Sequence, residues 1–219
     1  MTIDVADRLP DPRQDNQDPA LFGQTPGQTV GPFFHYGLPW KGGADLVGQS
    51  DMGARPELFP EAHYVLHLSA PTGTPQGQMI ELTGRVFDGD GAPVPDAMLE
   101  IWQADAAGHY PVEADADPHF VGFGRAATAE DGSYRFRTIL PGRIARDHAP
   151  HIAVSIFARG VIKRLATRLY FAGLEAGDAT LSRVPAERRA TLIATSGGDG
   201  VWSLDFVLQG DRETVFFDL

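Results

Sequence analysis

Apolar and polar residues alternate along most of the chain after residue 64, which is the pattern of half-buried β-strands. A second type of stretch, residues 152–157, is apolar on both faces, as in the central strand of a sandwich. The alternating apolar positions are Ile80, Leu82 and Val86; Leu99 and Ile101; Tyr134 and Phe136; Leu165, Thr167, Leu169 and Phe171; and, most clearly, Trp202, Leu204, Phe206 and Leu208.

Turn signals separate these stretches, and helical signals are scarce. Asp-Gly pairs mark turns at 88–91 and 131–132. One short helix is predicted over 185–193, because a Pro begins it and Glu187 lies in its first turn. Many short strands with Gly and Pro turns predict an all-β fold, a β-sandwich of mainly antiparallel strands with long loops.

The N-terminal part of the chain differs in composition. Residues 1–20 are rich in Asp, Gln and Pro, and we expect an extended, flexible arm there. Residues 25–34 read TPGQTVGPFF, where Pro26 and Pro32 favour an irregular extended segment. No linker pattern follows residue 60, so we expect a single β-sandwich domain over 21–219.

Composition narrows the possible functions. The net charge is −11, which disfavours binding to nucleic acid, and an anionic substrate would need an Arg placed beside an apolar stretch. The chain has no Cys, which excludes disulfides, thiolate catalysis and Cys-metal sites. No apolar leader begins the chain, and no apolar run is long enough to cross a bilayer. We therefore expect a soluble cytoplasmic protein that does not bind membranes.

Three segments carry motifs beyond the strand pattern. The first contains LEIWQADAAGHY at 99–110, the second contains DGSYRFRTILPG at 131–142, and the third contains APHIAV at 149–154, followed by FARG and TRLYF. In this order they resemble the intradiol ring-cleaving dioxygenases, and most closely the α chains of the protocatechuate 3,4-dioxygenases. The resemblance extends from about residue 24 to the C-terminus.

Catalytic members of this family hold Fe(III) with two tyrosinates and two imidazoles, a ligand set of hard oxygens and neutral nitrogens. The imidazoles come from a His-Ile-His strand motif, whose alternate residues point to one face. Here the motif reads His151-Ile152-Ala153, so the second imidazole is replaced by a methyl group. The resemblance places the first tyrosine at Tyr110 and the second at Ile144, which has no donor atom.

The arginine that the family has three residues before the first histidine corresponds to His148. With two ligands missing, we expect this chain to hold no metal, to have no catalytic residue and to be inactive alone. The resemblance implies that Fe(III) belongs to a partner β subunit, which converts protocatechuate and O₂ to 3-carboxy-cis,cis-muconate. In that heteromeric assembly the α chain completes the substrate pocket.

The pocket residues implied by the resemblance are Thr29, Gly31, Pro32 and Arg159. Gly31 permits close backbone approach, Pro32 fixes the loop, and the Arg159 guanidinium suits the carboxylate of protocatechuate. The alternatives are a surface ion pair for Arg159 and a structural turn for the other three.

Other interpretations stay open. Tyr110 and His151 are interpreted as residues left from an ancestral metal site, which now form hydrogen bonds in the core or in a groove. One further metal site is conceivable in a loop, where a divalent ion could bind to His109, Asp117 and His119, although a solvated acidic loop is the simpler interpretation. His63 and His67 are about 13 Å apart if their segment is a strand, which disfavours a shared metal there. For the whole chain, the alternatives are a stand-alone intradiol-type dioxygenase with an atypical metal site and a non-catalytic β-sandwich scaffold.

Overall fold

The computed structural model describes residues 11–12, 29–31, 34, 42–48, 50–54 and 73–218. Two helical segments lie in this part of the chain, an α-helix, α1 (Ala179–Ser182), and a 3₁₀-helix (Ala186–Leu192). The strands are β1 (Asp11–Pro12), β2 (Met79–Phe87), β3 (Met98–Trp102), β4 (Phe123–Ala127), β5 (Ser133–Ile139), β6 (His151–Phe157), β7 (Leu165–Phe171), β8 (Ile193–Gly198), β9 (Val201–Ser203), β10 (Phe206–Val207) and β11 (Phe217–Asp218).

One layer of the sandwich is built on the antiparallel order β4-β3-β6-β7. The C-terminal strand β11 adds to β7 at Phe217, and β1 pairs with β11. Apolar residues of β6 that point inward, such as Ile152 and Ile156, are fully buried. The residues between them face outward, and this outer face carries the site described below.

The other layer is centred on β2, which pairs with β5 along seven residues and runs parallel to β9 and β10. Strand β8 joins the two layers: Ile193 and Ala194 pair with β7, and the residues from Thr195 onward pair with β9. Leu82 and Phe136 from this layer belong to the same buried apolar cluster as Ile152 from the first layer. The core therefore lies between the two layers.

A loop over residues 42–48 closes one edge of the sandwich. The backbone N–H of Arg125 in β4 donates to the Gly43 carbonyl, and Leu46 N–H donates to the Arg137 carbonyl of β5. The buried carboxylate of Asp45 accepts hydrogen bonds from Val47 N–H and the Ser50 hydroxyl, which fixes the shape of the loop. This loop bridges β4 and β5.

The predicted all-β sandwich of mainly antiparallel strands is confirmed, with two local differences. The residues expected to form one strand over 202–208 form β9 and β10 instead, because the Leu204 carbonyl turns toward Gly84 and accepts a hydrogen bond from the Tyr134 hydroxyl at 2.7 Å. The Asp205 carboxylate also accepts the N–H of Arg85, which interrupts the ladder. The helix expected over 185–193 is a 3₁₀-helix at Ala186–Leu192.

The division into an arm over 1–20 and one domain over 21–219 stays a prediction. Of the arm, the structure describes only β1, which is paired with the C-terminal strand β11. Among the described residues, no helix has the length and apolar character needed to cross a bilayer.

Candidate functional site

The outer face of β3, β6 and β7 places several predicted site positions side by side. In the strand register Ala153 lies opposite Trp102 on one side and Arg168 on the other, and His151 lies opposite Tyr170. Residues directly opposite each other on neighbouring strands point to the same face of the sheet. These five residues therefore share one surface.

Tyr110 reaches this surface from the loop after β3. Its ring stacks on Trp102, with the centroids 5.8 Å apart and the planes within 3° of parallel. Burial raises the pKa of Tyr110, and the charge of Arg168 opposes that increase. The stacking fixes Tyr110, the first of the predicted ligand positions, against Trp102, which lies opposite Ala153.

The loop that carries Tyr110 is organised by the buried carboxylate of Asp105. That carboxylate accepts hydrogen bonds from the backbone N–H groups of Ala107, His109 and Asp117. Burial works against the charged form of Asp105, but these three bonds outweigh it, and its pKa is lowered. The loop conformation thus depends on an ionised Asp105.

Ile144 lies on the neighbouring segment, which packs directly against the Tyr110 loop. Gly108 has a φ of +94°, and a Cβ there would lie 2.1 Å from the Arg143 carbonyl oxygen. Only glycine permits this approach, which brings the backbone of Ile144 beside the loop two residues before Tyr110. The Gly142 N–H also donates to the Asp105 carbonyl at 2.8 Å.

His151 is held in place at the start of β6. Its Nδ1 is 2.8 Å from the Ala149 carbonyl oxygen, and its ring centroid lies 6.1 Å from that of His148 and 5.9 Å from that of Tyr170. The residue is 5% exposed. Burial, helped by the charge of Arg168, lowers the pKa of His151 to about 4, so its ring is neutral at pH 7.

A buried Asp178 ties the helix α1 to this surface. One carboxylate oxygen accepts from the Tyr170 hydroxyl at 2.9 Å and from Leu181 N–H at 2.7 Å, and the other accepts from Ala149 N–H at 2.9 Å. Asp178 is thereby the N-cap of α1 and fixes the residues that lead into His151. Burial, together with this bond, raises the pKa of Tyr170, which stays a neutral donor.

Arg168 places a positive charge among these groups. Its Nη1 donates to the Thr180 hydroxyl at 3.0 Å. Its charge influences the pKa values of Tyr110, His151 and Tyr170. The cation is therefore close to both surviving ligand positions, Tyr110 and His151.

The predicted pocket residues lie at the other end of β6. The Thr29 hydroxyl accepts the N–H of Gly160 at 2.6 Å and is 3.4 Å from the Ala158 carbonyl, so Thr29 is fastened to the turn that carries Arg159. Ala158 is seven residues from His151, about 23 Å along an extended strand. Gly31 is exposed two residues beyond Thr29, and Pro32 lies outside the described residues.

Arg159 forms an ion pair with Asp96 through its Nε, and more than half of its side chain, 58%, remains exposed. The pair corresponds to the alternative considered for Arg159 from the sequence. The ion pair is compatible with the predicted substrate role, because the guanidinium is still accessible at the surface. That role stays a prediction.

The loop alternative for a metal site, at His109, Asp117 and His119, gains no ligand set. In the described part of the chain, no three His, Cys, Asp or Glu side chains come together around a common point. The Asp117 carboxylate accepts backbone N–H groups of Gln76 and His119 instead. His63 and His67 lie outside the described residues.

Comparisons with known proteins identify the family. The family described as Dioxygenase matches residues 59–197. The protocatechuate 3,4-dioxygenase α chain of Burkholderia cepacia is 45% identical over 208 residues, which are 90% of this chain and 98% of that one. The chain belongs to the intradiol dioxygenase family.

Two further relatives and one solved structure place this intradiol dioxygenase chain within the family. The protocatechuate 3,4-dioxygenase α chain of Pseudomonas putida is 36% identical over 90% of this chain and 98% of its own length. The β chain of the Burkholderia cepacia enzyme is 35% identical over 80% of this chain and 75% of its own. A dioxygenase domain from Streptomyces sp. SirexAA-E superposes with a TM-score of 0.53 and 28% identity, covering 86% of this chain and 99% of that one.

Intradiol dioxygenases imply iron, but the residues at the four expected positions do not fit it. Tyr110 and His151 offer one oxygen and one nitrogen, whereas Ile144 and Ala153 offer no donor atom. A guanidinium lies near both remaining donors, and burial disfavours the phenolate form of Tyr110. These surroundings do not suit a tyrosinate-iron centre.

Arg168, Tyr170 and Asp178 were not among the site residues predicted from the sequence. One signal for Arg168 was available, because it is a cation inside an otherwise apolar stretch of β7. Tyr170 and Asp178 gave no comparable signal, since a strand tyrosine and a loop aspartate are common at structural positions.

Proposed function

We propose that this chain is the α subunit of a protocatechuate 3,4-dioxygenase and that it completes the substrate pocket of a catalytic β subunit. The observation that carries the proposal is the match to a protocatechuate 3,4-dioxygenase α chain along 98% of that chain's length. The absence of donor atoms at Ile144 and Ala153 supports a role without iron. The match to a β chain supports a partner of the same fold.

Iron would be supplied by the β subunit, where it would bind the catechol oxygens and activate the ring toward O₂. The assembly would then open the ring of protocatechuate between its two hydroxyl-bearing carbons and yield 3-carboxy-cis,cis-muconate. This chain would take no direct part in that chemistry. Its contribution would be to bind and orient the substrate.

The residues proposed for that contribution are Thr29, Gly31, Pro32 and Arg159. Thr29 and Arg159 support the proposal by their location, because the turn that joins them follows β6 and lies about 26 Å along an extended chain from His151. These two residues are too far away to complete a site at this chain's own Tyr110 and His151. We therefore assign the pocket that they help to form to another chain.

Arg159 is the residue best suited to bind the substrate carboxylate. Its guanidinium is exposed at the end of a strand in a chain of net charge −11, and the Asp96 carboxylate orients it through Nε. Charge-assisted pairing with a carboxylate is specific for substrates that carry one. The Thr29 hydroxyl fixes the backbone of the same turn through Gly160.

The proposal is tested by co-expression with the cognate β chain, with oxygen uptake on protocatechuate and bound iron as readouts. We expect the complex to be more active or more stable than β alone. Tyr110→Phe in this chain should leave iron and activity unchanged, whereas the same change at the matching tyrosine of β should abolish both.

Two results would contradict the proposal in different ways. Loss of iron on Tyr110→Phe in this chain would favour a stand-alone dioxygenase with an atypical metal site. A β chain that is fully active alone, and gains neither stability nor substrate affinity from this chain, would favour a plain scaffold.

A further inference from the structure

The position of the missing second imidazole has a charged neighbour. Ala153 and Arg168 are directly opposite in the antiparallel register of β6 and β7. The Cβ atoms of such a pair are about 5 Å apart. An imidazole placed at 153 would therefore lie beside the Arg168 guanidinium.

The guanidinium is anchored by a buried group. Its Nη1 donates to the hydroxyl of Thr180, a fully buried residue of α1, the helix that Asp178 caps. Asp178 also accepts from Tyr170 and from Ala149 N–H, and Ala149 in turn fixes His151. Arg168 is thus placed by the same structure that places the surviving ligand position.

The group that accepts a hydrogen bond from Arg168 is the neutral Thr180 hydroxyl. Among the residues that the structure describes, no carboxylate lies within ion-pair distance of it. A second cation beside this guanidinium is disfavoured where water is partly excluded. The charge of Arg168 acts on Tyr110, His151 and Tyr170, as the charge of a metal at this surface would.

We infer that the Arg168 guanidinium takes the place of the metal in this chain, as the fixed cation that orders Tyr110, His151 and Tyr170 and keeps ferric iron out. The inference rests on the proposed function, since it uses the ligand positions that the family resemblance assigns. It predicts that restoring the lost ligands is not sufficient to restore iron binding.

The test restores the ligands with and without the cation. One variant carries Ile144→Tyr and Ala153→His, and a second adds Arg168→Gln, which can still hydrogen-bond Thr180 but has no charge. Each full chain is co-purified with the β chain after growth in excess iron, and iron is counted per αβ pair. The absorption of tyrosinate-to-iron charge transfer is recorded on the same samples.

We expect the double variant to hold no iron beyond that of the wild-type complex, and the triple variant to hold about one additional iron per pair, a difference of roughly tenfold or more in added iron. Replacing Gln by Lys at 168 restores the charge and should abolish the added iron again. Arg164→Gln in the double variant is the matched control, because it removes an exposed cation four residues away. It should add no iron.

Equal added iron in the double and triple variants would overturn the inference. So would a triple variant that is folded by circular dichroism but adds no iron, or a Lys variant that binds iron as well as the Gln variant. If no complex with β forms, the proposed function fails, but the same comparison is then made on the full chain alone.

Discussion

Arg168 on β7 faces Ala153 on β6 across an antiparallel strand pair, at the position where the family resemblance places a second iron-binding imidazole. The methyl group at 153 is small enough to lie beside a guanidinium that the Thr180 hydroxyl holds in place. The loss of the ligand and the presence of the cation are therefore parts of one arrangement. A hydrogen-bonded network occupies this region of the fold.

Asp178 is expected to be the residue on which that network depends for stability. Its buried carboxylate accepts from Tyr170, Ala149 and Leu181, so Asp178→Ala leaves three donors without a partner and removes the N-cap of α1. We expect a loss of about 3 kcal/mol or more in the free energy of unfolding, measured in urea.

Tyr170→Phe provides the matched control for Asp178→Ala. It removes one hydroxyl but leaves the other bonds of Asp178 intact, and should cost only about 1 kcal/mol. If both variants lose the same free energy, the backbone bonds of Asp178 contribute nothing and the account of the network is wrong.

His151 is expected to make the stability of the chain depend on pH. Its pKa is about 4 in the folded chain because burial disfavours the imidazolium, whereas a histidine in an unfolded chain titrates near pH 6.5. Between these values the unfolded chain binds the extra proton, so stability is full above about pH 6.5 and decreases as the pH falls to about 4. The total contribution is about 3 kcal/mol.

The measurement is urea unfolding of the wild-type chain and His151→Gln at several pH values between 4 and 7. The variant should show a shallower decrease in stability on acidification than the wild type. Parallel slopes for the two proteins would mean that the burial of His151 has no consequence for protonation.

Arg159→Ala is expected to weaken the binding of protocatechuate in the assembled complex. Loss of a charge-assisted hydrogen bond corresponds to about 1.5 kcal/mol, and thus to an increase of roughly tenfold in KM. Catechol lacks the carboxylate, so its KM should change much less. Arg164→Ala removes another exposed cation from the same loop and should affect neither substrate; equal changes for both substrates in Arg159→Ala would exclude the assigned role.

Thr29 is expected to act on the substrate through the turn that carries Arg159. Thr29→Ala removes the acceptor of the Gly160 N–H and should raise KM for protocatechuate severalfold with little change in unfolding free energy, since Thr29 is exposed. Thr29→Ser keeps the hydroxyl and should behave like the wild-type chain. A Ser variant as impaired as the Ala variant would assign the effect to the lost methyl group instead.

The sequence could predict those parts of the fold that depend on local pattern. Alternation of apolar and polar residues identified β2, β5 and β7. The turn at Asp88 was recognisable from its Asp-Gly pairs, because an Asp side chain in a turn accepts nearby backbone N–H groups, as it does here from residues 90 and 92. The break between β9 and β10 was not predictable, because it depends on a distant Gly84 that lets the Leu204 carbonyl approach. Helix α1 has only four residues, too few to show a helical period.

The candidate site divides in the same way. The missing donors at Ile144 and Ala153 could be recognised from the motif that surrounds them. The role of Arg168 required the register between β6 and β7, which joins residues fifteen positions apart and is set by the packing of the whole sheet. The contact between Thr29 and Gly160 joins residues 131 positions apart, and no local pattern reports such a contact.

The iron content of the full chain expressed alone tests the central claim most directly. We expect less than about 0.1 iron per chain after growth in excess iron, with no visible charge-transfer absorption, because two donors are absent and a guanidinium lies beside the remaining two. Near-stoichiometric iron with a tyrosinate-to-iron absorption band would contradict the account.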